Sequence, residues 1–480
     1  MDLKNKVKSG LKWTFIDQVL SQIIFLIFGI FLARLVSPSS FGLVGMVTIF
    51  SNFAILFIDL GFGAALIQKA DATKEHFSSV FWLNLGIGII LYLFFYLLAP
   101  FISQFYKQPE LTVLIRVICL TFIITAISSV QSNLLIRELK FKKKVVINWI
   151  AMTVGYGLAF LLAYNGYGVW ALVIMTLATA ITNTLLYWIT SLWLPLLVFQ
   201  WSKIKELSNF GLNFLGDSSV NYWSRNYDNF IIAKVLGSTE LGIYSRAYSL
   251  MLLPLRNVTT IVTKVMFPAF SQKQGDLILL KKYYLDIILY IALITFPLMI
   301  GLSLVSTEFV LLFFGKKWIN MIPVLSVLSG LGAIQSIISL NGLIYNSLGK
   351  ANVAFRISII SNILLIIAFT IGVQYGIIGV SWSYLICSLL LFIPIYKTAI
   401  RLLDVSLLEV FKVLKGVIIA TSCMALILFL LNNCLDLSLI LNLVIKIVAG
   451  AVVYGMLLLL LERELLVRLK LKIITEIQQR

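Results

Sequence analysis

Solid apolar runs of about twenty residues recur along the whole chain and constrain its fold more than any other feature. A run of this length crosses the hydrocarbon core of a bilayer as an α-helix, because each residue adds about 1.5 Å along the axis. Strands of a membrane barrel would instead show alternating segments of about ten residues. With 60% hydrophobic and 12% charged residues, the chain also lacks the polar surface of a soluble protein. We therefore predict an all-α, polytopic membrane protein.

Charged residues, Gly, Pro and Asn divide the apolar runs into about fourteen predicted transmembrane helices. No predicted loop exceeds roughly twenty residues, so neither side of the membrane has room for a soluble catalytic domain. The predicted spans cover residues 10–36, 41–67, 78–102, 111–135, 145–164, 168–192, 208–234, 241–268, 283–305, 319–346, 352–373, 377–398, 410–432 and 439–461.

Basic residues account for the formal net charge of +18, and they cluster at the ends of the apolar runs. If the N-terminus is cytoplasmic, most of them face the cytoplasm, including the K-F-K-K-K run at 140–144. Lys316 and Lys317 are exceptions. The positive-inside rule therefore predicts that both termini are cytoplasmic. This distribution explains the charge without nucleic-acid binding, which would require basic and aromatic residues interleaved on a soluble surface.

Two parts of the chain resemble each other at an offset of about 200 residues. Residues 33–42 read A-R-L-V-S-P-S-S-F-G and residues 233–242 read A-K-V-L-G-S-T-E-L-G. We predict an N-terminal six-helix lobe over 1–200 and a C-terminal six-helix lobe over 201–400, pseudo-symmetric around a central cavity. Residues 401–480 would add two C-terminal helices and a basic cytoplasmic tail.

An ionisable side chain at membrane depth costs at least a few kcal/mol unless it meets a partner or water, so each one is a candidate site residue. The seventh predicted span is the richest, since its polar residues are spaced by three or four and share one helix face. Candidates in the second half are Asp217, Asn221, Arg225, Asp228, Asn229, Tyr244, Arg246 and Arg256. Asp17, at the repeat position of Asp217, and Asp59 are the candidates in the first half.

Several interpretations of these charged residues stay open. Arg225 and Asp228 could form an internal ion pair, line a cavity, or do both. Arg246 and Arg256 have no acidic residue three or four positions away, and a guanidinium can donate two parallel hydrogen bonds to a phosphate, so an anionic ligand is expected. Asp59 could neutralise an arginine, and a proton-coupling carboxylate is a further possibility for Asp17, Asp59 or Asp217. His76, the one histidine, is expected on the surface of a short loop.

Several motifs carry a resemblance to a known family. They are L-K-W-T-F at 11–15, the turn at 33–42, D-L-G-F-G-A-A-L-I-Q at 59–68, R-N-Y-D-N-F-I-I-A-K-V-L-G at 225–237 and L-G-I-Y-S-R-A-Y at 241–248. Through the twelfth predicted span, the chain resembles the polysaccharide exporters typified by the colanic acid and teichuronic acid exporters. That group belongs to the multidrug/oligosaccharidyl-lipid/polysaccharide exporter superfamily.

The resemblance implies a flippase of the bacterial cytoplasmic (inner) membrane. Such a protein moves an undecaprenyl-pyrophosphate-linked oligosaccharide to the outer leaflet by alternating access between two lobes. Lipid-linked oligosaccharide and membrane lipid are the implied partners, with a coupling proton or sodium ion and polysaccharide polymerase machinery as candidates; the chain is expected to be a monomer without cofactor, metal or catalytic residue. The family motifs place most functional weight on Arg225, Asp228, Asn229, Tyr244 and Arg246.

Other functions remain possible from the sequence. A cation-coupled drug antiporter of the same fold would need an acidic, aromatic cavity, whereas the buried arginines favour anions. A membrane-embedded polymerase or ligase would ordinarily need a long outer loop. A membrane scaffold without transport would have little use for buried charge.

Overall fold

The computed structural model describes residues 3–434 and 437–462, except the side chains of some helical residues. The first compact unit, residues 1–245, contains nine complete helices within its described part. They are α1 (Leu3–Leu35), α2 (Pro38–Asp59), α3 (Phe62–Gln68), α4 (Lys74–Tyr106), α5 (Leu111–Ile118), α6 (Leu120–Arg137), α7 (Phe141–Tyr164), α8 (Val169–Ser191) and α9 (Trp201–Val235). The next helix, α10 (Ser238–Gln272), begins in this unit.

The second compact unit covers residues 246–480. Its described helices after α10 are α11 (Leu277–Leu304), α12 (Ser306–Phe309), α13 (Met321–Ile338), α14 (Asn341–Ser347), α15 (Ala351–Gly372), α16 (Gly376–Arg401), α17 (Leu407–Cys434) and α18 (Leu439–Leu461). The two six-helix lobes predicted from the sequence repeat meet near residue 200, whereas the compact units meet at residue 245. The lobe bounds stay a prediction.

The all-α, polytopic prediction is confirmed. Eleven described helical segments are long and apolar enough to cross a membrane, and one of them, Asn352–Arg401, contains two predicted spans. Helices α9 and α10 have 35 residues each; both contain side chains outside the described residues, and neither belongs to that set. Each of the fourteen predicted spans therefore coincides with a described helix or a pair of consecutive helices.

The repeated turn produces a reciprocal contact inside the first unit. At the start of α2, the Ser37 side chain accepts a hydrogen bond from the Ser40 amide, and Pro38 occupies the first turn, where its missing N–H is not needed. A Cβ on Gly42 would lie 1.6 Å from the Ser238 carbonyl oxygen, and one on Gly242 would lie 2.0 Å from the Pro38 carbonyl oxygen. Equivalent positions of the repeat thus contact each other backbone to backbone.

Helix α9 continues this contact along α2. The Tyr222 hydroxyl donates to the Ile49 carbonyl oxygen at 2.6 Å, and Phe53 packs against the rings of Tyr222 and Trp223 with centroids 5.6 and 5.3 Å away. In lipid the hydrophobic effect does not draw helices together, so close contact at small residues and interhelical hydrogen bonds have to do so. The repeat therefore positions α9 against α2.

A short cluster fixes the chain that connects α8 to α9. His76 is buried rather than on the surface as predicted, with 1% exposure. Its Nδ1 accepts from the Thr73 amide, which places the ring proton on Nε2, 3.0 Å from Glu206 on α9. Lys69 and Lys203 reach the same carboxylate, each at 3.1 Å. Because α9 begins at this cluster, its start is anchored to the α3–α4 loop.

Helices α17 and α18, which lie outside the predicted duplication, pack within the second unit. Val410 on α17 joins the buried cluster around Tyr284 on α11. On α18, the Tyr454 hydroxyl donates to a carbonyl oxygen of α11 at 2.8 Å, and Lys446 forms a buried ion pair with Glu308 on α12. Separating the two partners of a buried ion pair would leave each charge uncompensated. The pair therefore holds α18 against α12.

We expect Gly42→Ala to destabilise the protein, since its methyl group would overlap a backbone carbonyl that cannot rotate away. The expected loss is about 1–3 kcal/mol or more. This loss is measured as a lower melting temperature in detergent, with unfolding monitored by size-exclusion chromatography. Gly157→Ala on α7 is the control, because a Cβ there meets no atom within 4 Å. Equal melting temperatures for the two variants would contradict the reciprocal contact.

The Glu206 cluster predicts an acid-dependent stability. Hydrogen bonds from His76, Lys203 and Lys69 lower the pKa of Glu206 from 4.5 to about 2. A lowered pKa stabilises the folded state above pH 4.5, and this contribution is lost as the pH falls from 4.5 towards 2. The melting-temperature difference between wild type and Glu206→Gln should therefore shrink between pH 6 and pH 3.

Glu138→Gln is the control, because Glu138 is half exposed and pairs with Lys140 alone among the described side chains. It should lower the melting temperature little at any pH. A wild-type advantage over Glu206→Gln that stays constant with pH would show that the Glu206 carboxylate does not anchor α9.

Candidate functional site

Asp59 occupies the point where a membrane-crossing helix breaks. Helix α2 ends there because Leu60 and Gly61 both adopt left-handed conformations, with φ of 44° and 74°, and α3 then continues the same span. The Asp59 carboxylate accepts a hydrogen bond from the Gly63 amide at 3.0 Å, which satisfies a backbone donor at the start of α3. Non-helical backbone at this depth is tolerated where it borders a cavity.

Gly63 brings this break close to α6. A Cβ on Gly63 would lie 2.1 Å from the Asn133 side-chain nitrogen and 2.7 Å from the Asp59 carboxylate. Asn84 on α4 lies nearby, with its amide 2.9 Å from the Ser129 hydroxyl. The D-L-G-F-G motif thus provides the turn and the carboxylate. Its second glycine leaves the space in which polar groups of α4 and α6 approach that carboxylate.

A polar cavity of about 460 Å³ lies beside Asp59 within the first unit. Most of the residues that line it carry hydroxyl or amide side chains, and Asp59 is the one formally charged residue among them. The lining residues are Thr48, Ser51, Asn52, Ile55, Asp59, Ile118, Thr121, Thr125, Ser128, Ser129, Ser132, Asn133, Thr176, Thr179, Ala180, Asn183 and Tyr187. Asp59 was among the site candidates predicted from the sequence, whereas most of the other polar groups were not.

A signal for this cavity is present in the sequence. On α6, Thr121, Thr125, Ser128 and Ser132 follow one another at intervals of three or four, and α8 repeats the pattern from Thr176 to Tyr187. Such spacing places the hydroxyl groups on one face of each helix. Single hydroxyl residues are common in membrane helices, so this pattern becomes informative only when both helices are compared.

Asp17, the other first-half candidate, has nearby polar partners. The Ser21 hydroxyl donates to its carboxylate at 2.9 Å, and the Asn148 amide lies 3.5 Å away. Lys144 is close enough for electrostatic attraction to Asp17. Asp17 is also electrostatically coupled to Tyr187, whose hydroxyl bonds to Ser132 in the cavity wall. Asp17 therefore lies near a basic group, unlike Asp59.

Asp228 and Tyr244 form a buried pair between α9 and α10. Their exposures are 3% and 0%, and the Tyr244 hydroxyl donates to Asp228 Oδ2 at 3.0 Å. The other carboxylate oxygen accepts from the Asn229 amide at 2.7 Å. These bonds are local and hold the α9–α10 hairpin together.

The ion pair that the spacing allows between Arg225 and Asp228 is absent among the described side chains. Arg225 is exposed, and its Nε donates instead to Asn221 one turn earlier at 3.1 Å. This bond orients the guanidinium, and no bond from its terminal nitrogens to a described side chain is present. Arg246 is half-buried on α10. Asp217 and Arg256 belong to α9 and α10, but their side chains lie outside the described residues, so their roles stay predictions.

Comparison with known proteins settles the family. A family model described as "Polysaccharide biosynthesis protein" matches residues 31–323, more than half of the chain. The chain belongs to the polysaccharide biosynthesis protein family. The teichuronic acid biosynthesis protein TuaB of Bacillus subtilis is 30% identical over 94% of this chain and 95% of its own length. The lipopolysaccharide biosynthesis protein WzxC of Escherichia coli is 28% identical over 84% of this chain and 82% of its own.

Solved structures show the fold of this polysaccharide biosynthesis family member. The lipid II flippase MurJ in an inward closed conformation matches with a TM-score of 0.76 over 94% of this chain and 99% of its own, at 16% identity. An inward-facing multidrug transporter of the MATE family matches with a TM-score of 0.61 over 82% and 99%, at 17% identity. The family resemblance predicted from sequence motifs is therefore confirmed, and the fold is shared with these solved structures.

We expect Tyr244→Phe to destabilise the protein, because it leaves a buried Asp228 oxygen without its donor. The expected loss is about 1–3 kcal/mol. Thermal melting in detergent measures it, with Tyr164→Phe as control because Tyr164 is 76% exposed. Wild-type stability combined with lost transport would instead assign the Tyr244 hydroxyl to the substrate.

Proposed function

We propose that this polysaccharide biosynthesis family member is a flippase for a lipid-linked oligosaccharide. It moves an undecaprenyl-pyrophosphate-linked oligosaccharide from the cytoplasmic to the outer leaflet of the bacterial inner membrane. The relatives named for teichuronic acid and lipopolysaccharide biosynthesis support the polysaccharide pathway. The fold shared with a lipid II flippase supports movement of a lipid-linked sugar. In this proposal both termini are cytoplasmic, as the positive-inside rule predicts, and the two predicted lobes alternate in access.

Arg225 carries the proposal for the head group. Its guanidinium lies on α9, within the seventh span predicted from the sequence, has no acidic partner among the described side chains and is oriented through Asn221. Exposing such a charge at this depth is costly unless water or an anion surrounds it. A pyrophosphate group offers the oxygens that a guanidinium binds through two parallel hydrogen bonds. Asn221 would contribute a further polar contact, and binding roles for Asp217, Arg246 and Arg256 stay predictions from the sequence.

Asp228, Asn229 and Tyr244 have a different part in this proposal. Their bonds to one another stabilise the α9–α10 hairpin that carries Arg225 and Arg246. They would therefore position the binding residues rather than contact the substrate. Asp17 and Asp59 would provide carboxylate groups among the polar side chains inside the first unit.

A cation-coupled small-molecule antiporter of the same fold is the second candidate. The observation in its favour is the cavity with Asp59, together with the MATE structures of the same fold. Its wall contains Tyr187 as the single aromatic residue, which gives a drug little surface to stack on. A polymerase is the third candidate, and the two longest connections between the described α-helices, residues 192–200 and 310–320, are too short for a catalytic outer domain.

We expect Arg225→Ala to abolish delivery of polymer to the cell surface, while the protein stays folded in the membrane. Arg225→Lys should restore delivery only in part, since an ammonium group cannot form the parallel pair of hydrogen bonds. Surface polymer and lipid-linked intermediates in each leaflet are measured in a deletion strain that expresses each variant. Arg116→Ala is the control, because Arg116 stacks on Tyr96 with its guanidinium carbon 4.4 Å from the ring centroid.

Intermediates should accumulate in the cytoplasmic leaflet for Arg225→Ala and for the deletion. Loss of chain length alone, with normal transfer to the outer leaflet, would indicate a polymerase. Drug sensitivity without any change in polymer would indicate the antiporter. Normal surface polymer in the Arg225→Ala strain would exclude the proposed role of Arg225.

A further inference from the structure

The α8–α9 linker, residues 192–200, exposes large apolar side chains instead of polar ones. The exposed fraction reaches 85% at Leu192 and 90% at Leu197. Exposing this much apolar area to water costs free energy, so such a surface usually has an apolar partner. We call the residues here that are at least half exposed the linker face, and they include the first residue of α9: Leu192, Leu194, Leu197, Phe199 and Trp201.

Hydrogen bonds to α4 hold the second half of the linker. The Leu196 amide donates to the Ser78 hydroxyl at 3.0 Å, and the Leu196 carbonyl oxygen accepts from the Trp82 indole nitrogen at 2.8 Å. The Gln200 amide donates to the Ser79 hydroxyl at 3.0 Å. Backbone groups at two positions of the linker are therefore bonded to α4, which fixes the linker along this helix.

Side-chain direction alternates at the start of the linker, as it does in an extended strand. Trp193 packs into the first unit, with its ring centroid 6.4 Å from that of Phe77 and 6.1 Å from that of Phe81. Its neighbours Leu192 and Leu194 are exposed. The inward tryptophan therefore anchors the linker while the linker face is presented to the surroundings.

The contact with α4 also indicates the depth of the linker in the membrane. Helix α4 begins at the charged residue Lys74, whereas its bonds to the linker come from Ser78, Ser79 and Trp82. At about 1.5 Å per residue, these positions lie about 6–12 Å along the helix from Lys74. An interfacial segment buries its apolar side about 5–10 Å into the boundary between head groups and acyl chains. With Lys74 at the membrane surface, the linker lies at this depth.

The linker face continues an exposed apolar stripe of α8. On this membrane-crossing helix, exposed Ile181, Leu185 and Ile189 are spaced by four residues, and Leu192 follows three residues later. Residues at this spacing share one face of a helix. Trp201 is exposed at the other end of the linker, and tryptophan is enriched where membrane meets water. The apolar surface of α8 therefore extends onto the linker.

We propose that the linker face inserts among lipid acyl chains of one leaflet, which is the cytoplasmic leaflet in the orientation predicted from the sequence. Membrane lipid is the occupant because the face continues the exposed stripe of α8 and lies at the depth of the acyl-chain boundary. Lys205, exposed near the start of α9, suits an anionic head group above those chains. The linker thus fixes where α9 begins relative to the membrane, whatever substrate the protein moves.

A photo-crosslinking side chain at Leu197 identifies the occupant in native membranes. Benzoylphenylalanine replaces Leu197 in the full chain, and adducts formed under ultraviolet light are identified by mass spectrometry. Leu197 is almost fully exposed, so the replacement leaves packing within the protein unchanged. We expect lipid adducts at Leu197, as at Leu185 on the exposed stripe of α8. Asp71 is the control that should give no lipid adduct, because its side chain is exposed in the loop after α3.

Two results of this experiment would overturn the proposal. An adduct with another protein, or with a second copy of the chain, would give the linker face a protein partner. No adduct at Leu197, while Leu185 gives lipid adducts, would show that the linker face lies in water.

A depth measurement provides an independent check. A fluorophore is attached to Leu197→Cys in protein whose four native cysteines are replaced by alanine, and the protein is placed in vesicles of phosphatidylethanolamine and phosphatidylglycerol. A nitroxide near the top of the acyl chain should quench this fluorophore more strongly than a nitroxide near the bilayer centre. Aqueous iodide should quench it less than the same fluorophore on Asp71→Cys. Equal iodide quenching at the two positions would rule out insertion of the linker face.

Discussion

Neutralisation of buried charge is the physical constraint on which this structure depends. An ion in hydrocarbon loses most of its hydration energy, so the fold has to supply a partner, a network of donors or a watery surface. Glu308 obtains a partner in Lys446, and Asp228 obtains donors from Tyr244 and the Asn229 amide. Asp59 receives a single backbone donor and borders a cavity, which sets it apart from these two groups.

Glycine determines where the helices of the first unit approach closely. Gly42 and Gly242 allow two equivalent turns to contact each other through their backbones, and Gly63 makes space for Asn133 and the Asp59 carboxylate. Any side chain at these positions would separate the helices. The motifs that carry the family resemblance thus have a direct structural meaning, because they create contacts that larger residues would prevent.

Opposite charges in the first unit have different surroundings, and this bears on mechanism. Arg225 is exposed on α9 and donates to Asn221, whereas Asp59 lies at the α2–α3 break, accepts a hydrogen bond from the Gly63 amide and borders hydroxyl groups. The family assignment gives the chain a place in polysaccharide biosynthesis, and Arg225 is the charge to which the proposed function assigns the anionic head group.

The sequence by itself determined the helical, membrane-spanning fold, the approximate helix bounds, the repeated turn and the family, since each follows from the local order of apolar and small residues. Charged candidates were also found, because any ionisable residue within an apolar run is conspicuous. Only the tertiary structure decided their partners. Glu308 and Lys446 are 138 residues apart, and His76 and Glu206 are 130 apart. Spacing along one helix allowed an Arg225–Asp228 ion pair, but Arg225 donates to Asn221, and Asp228 accepts from the Asn229 amide and from Tyr244 on the next helix. Helix periodicity describes neighbours on one face, whereas charge compensation depends on whichever helices pack together, and that packing is not encoded in local spacing.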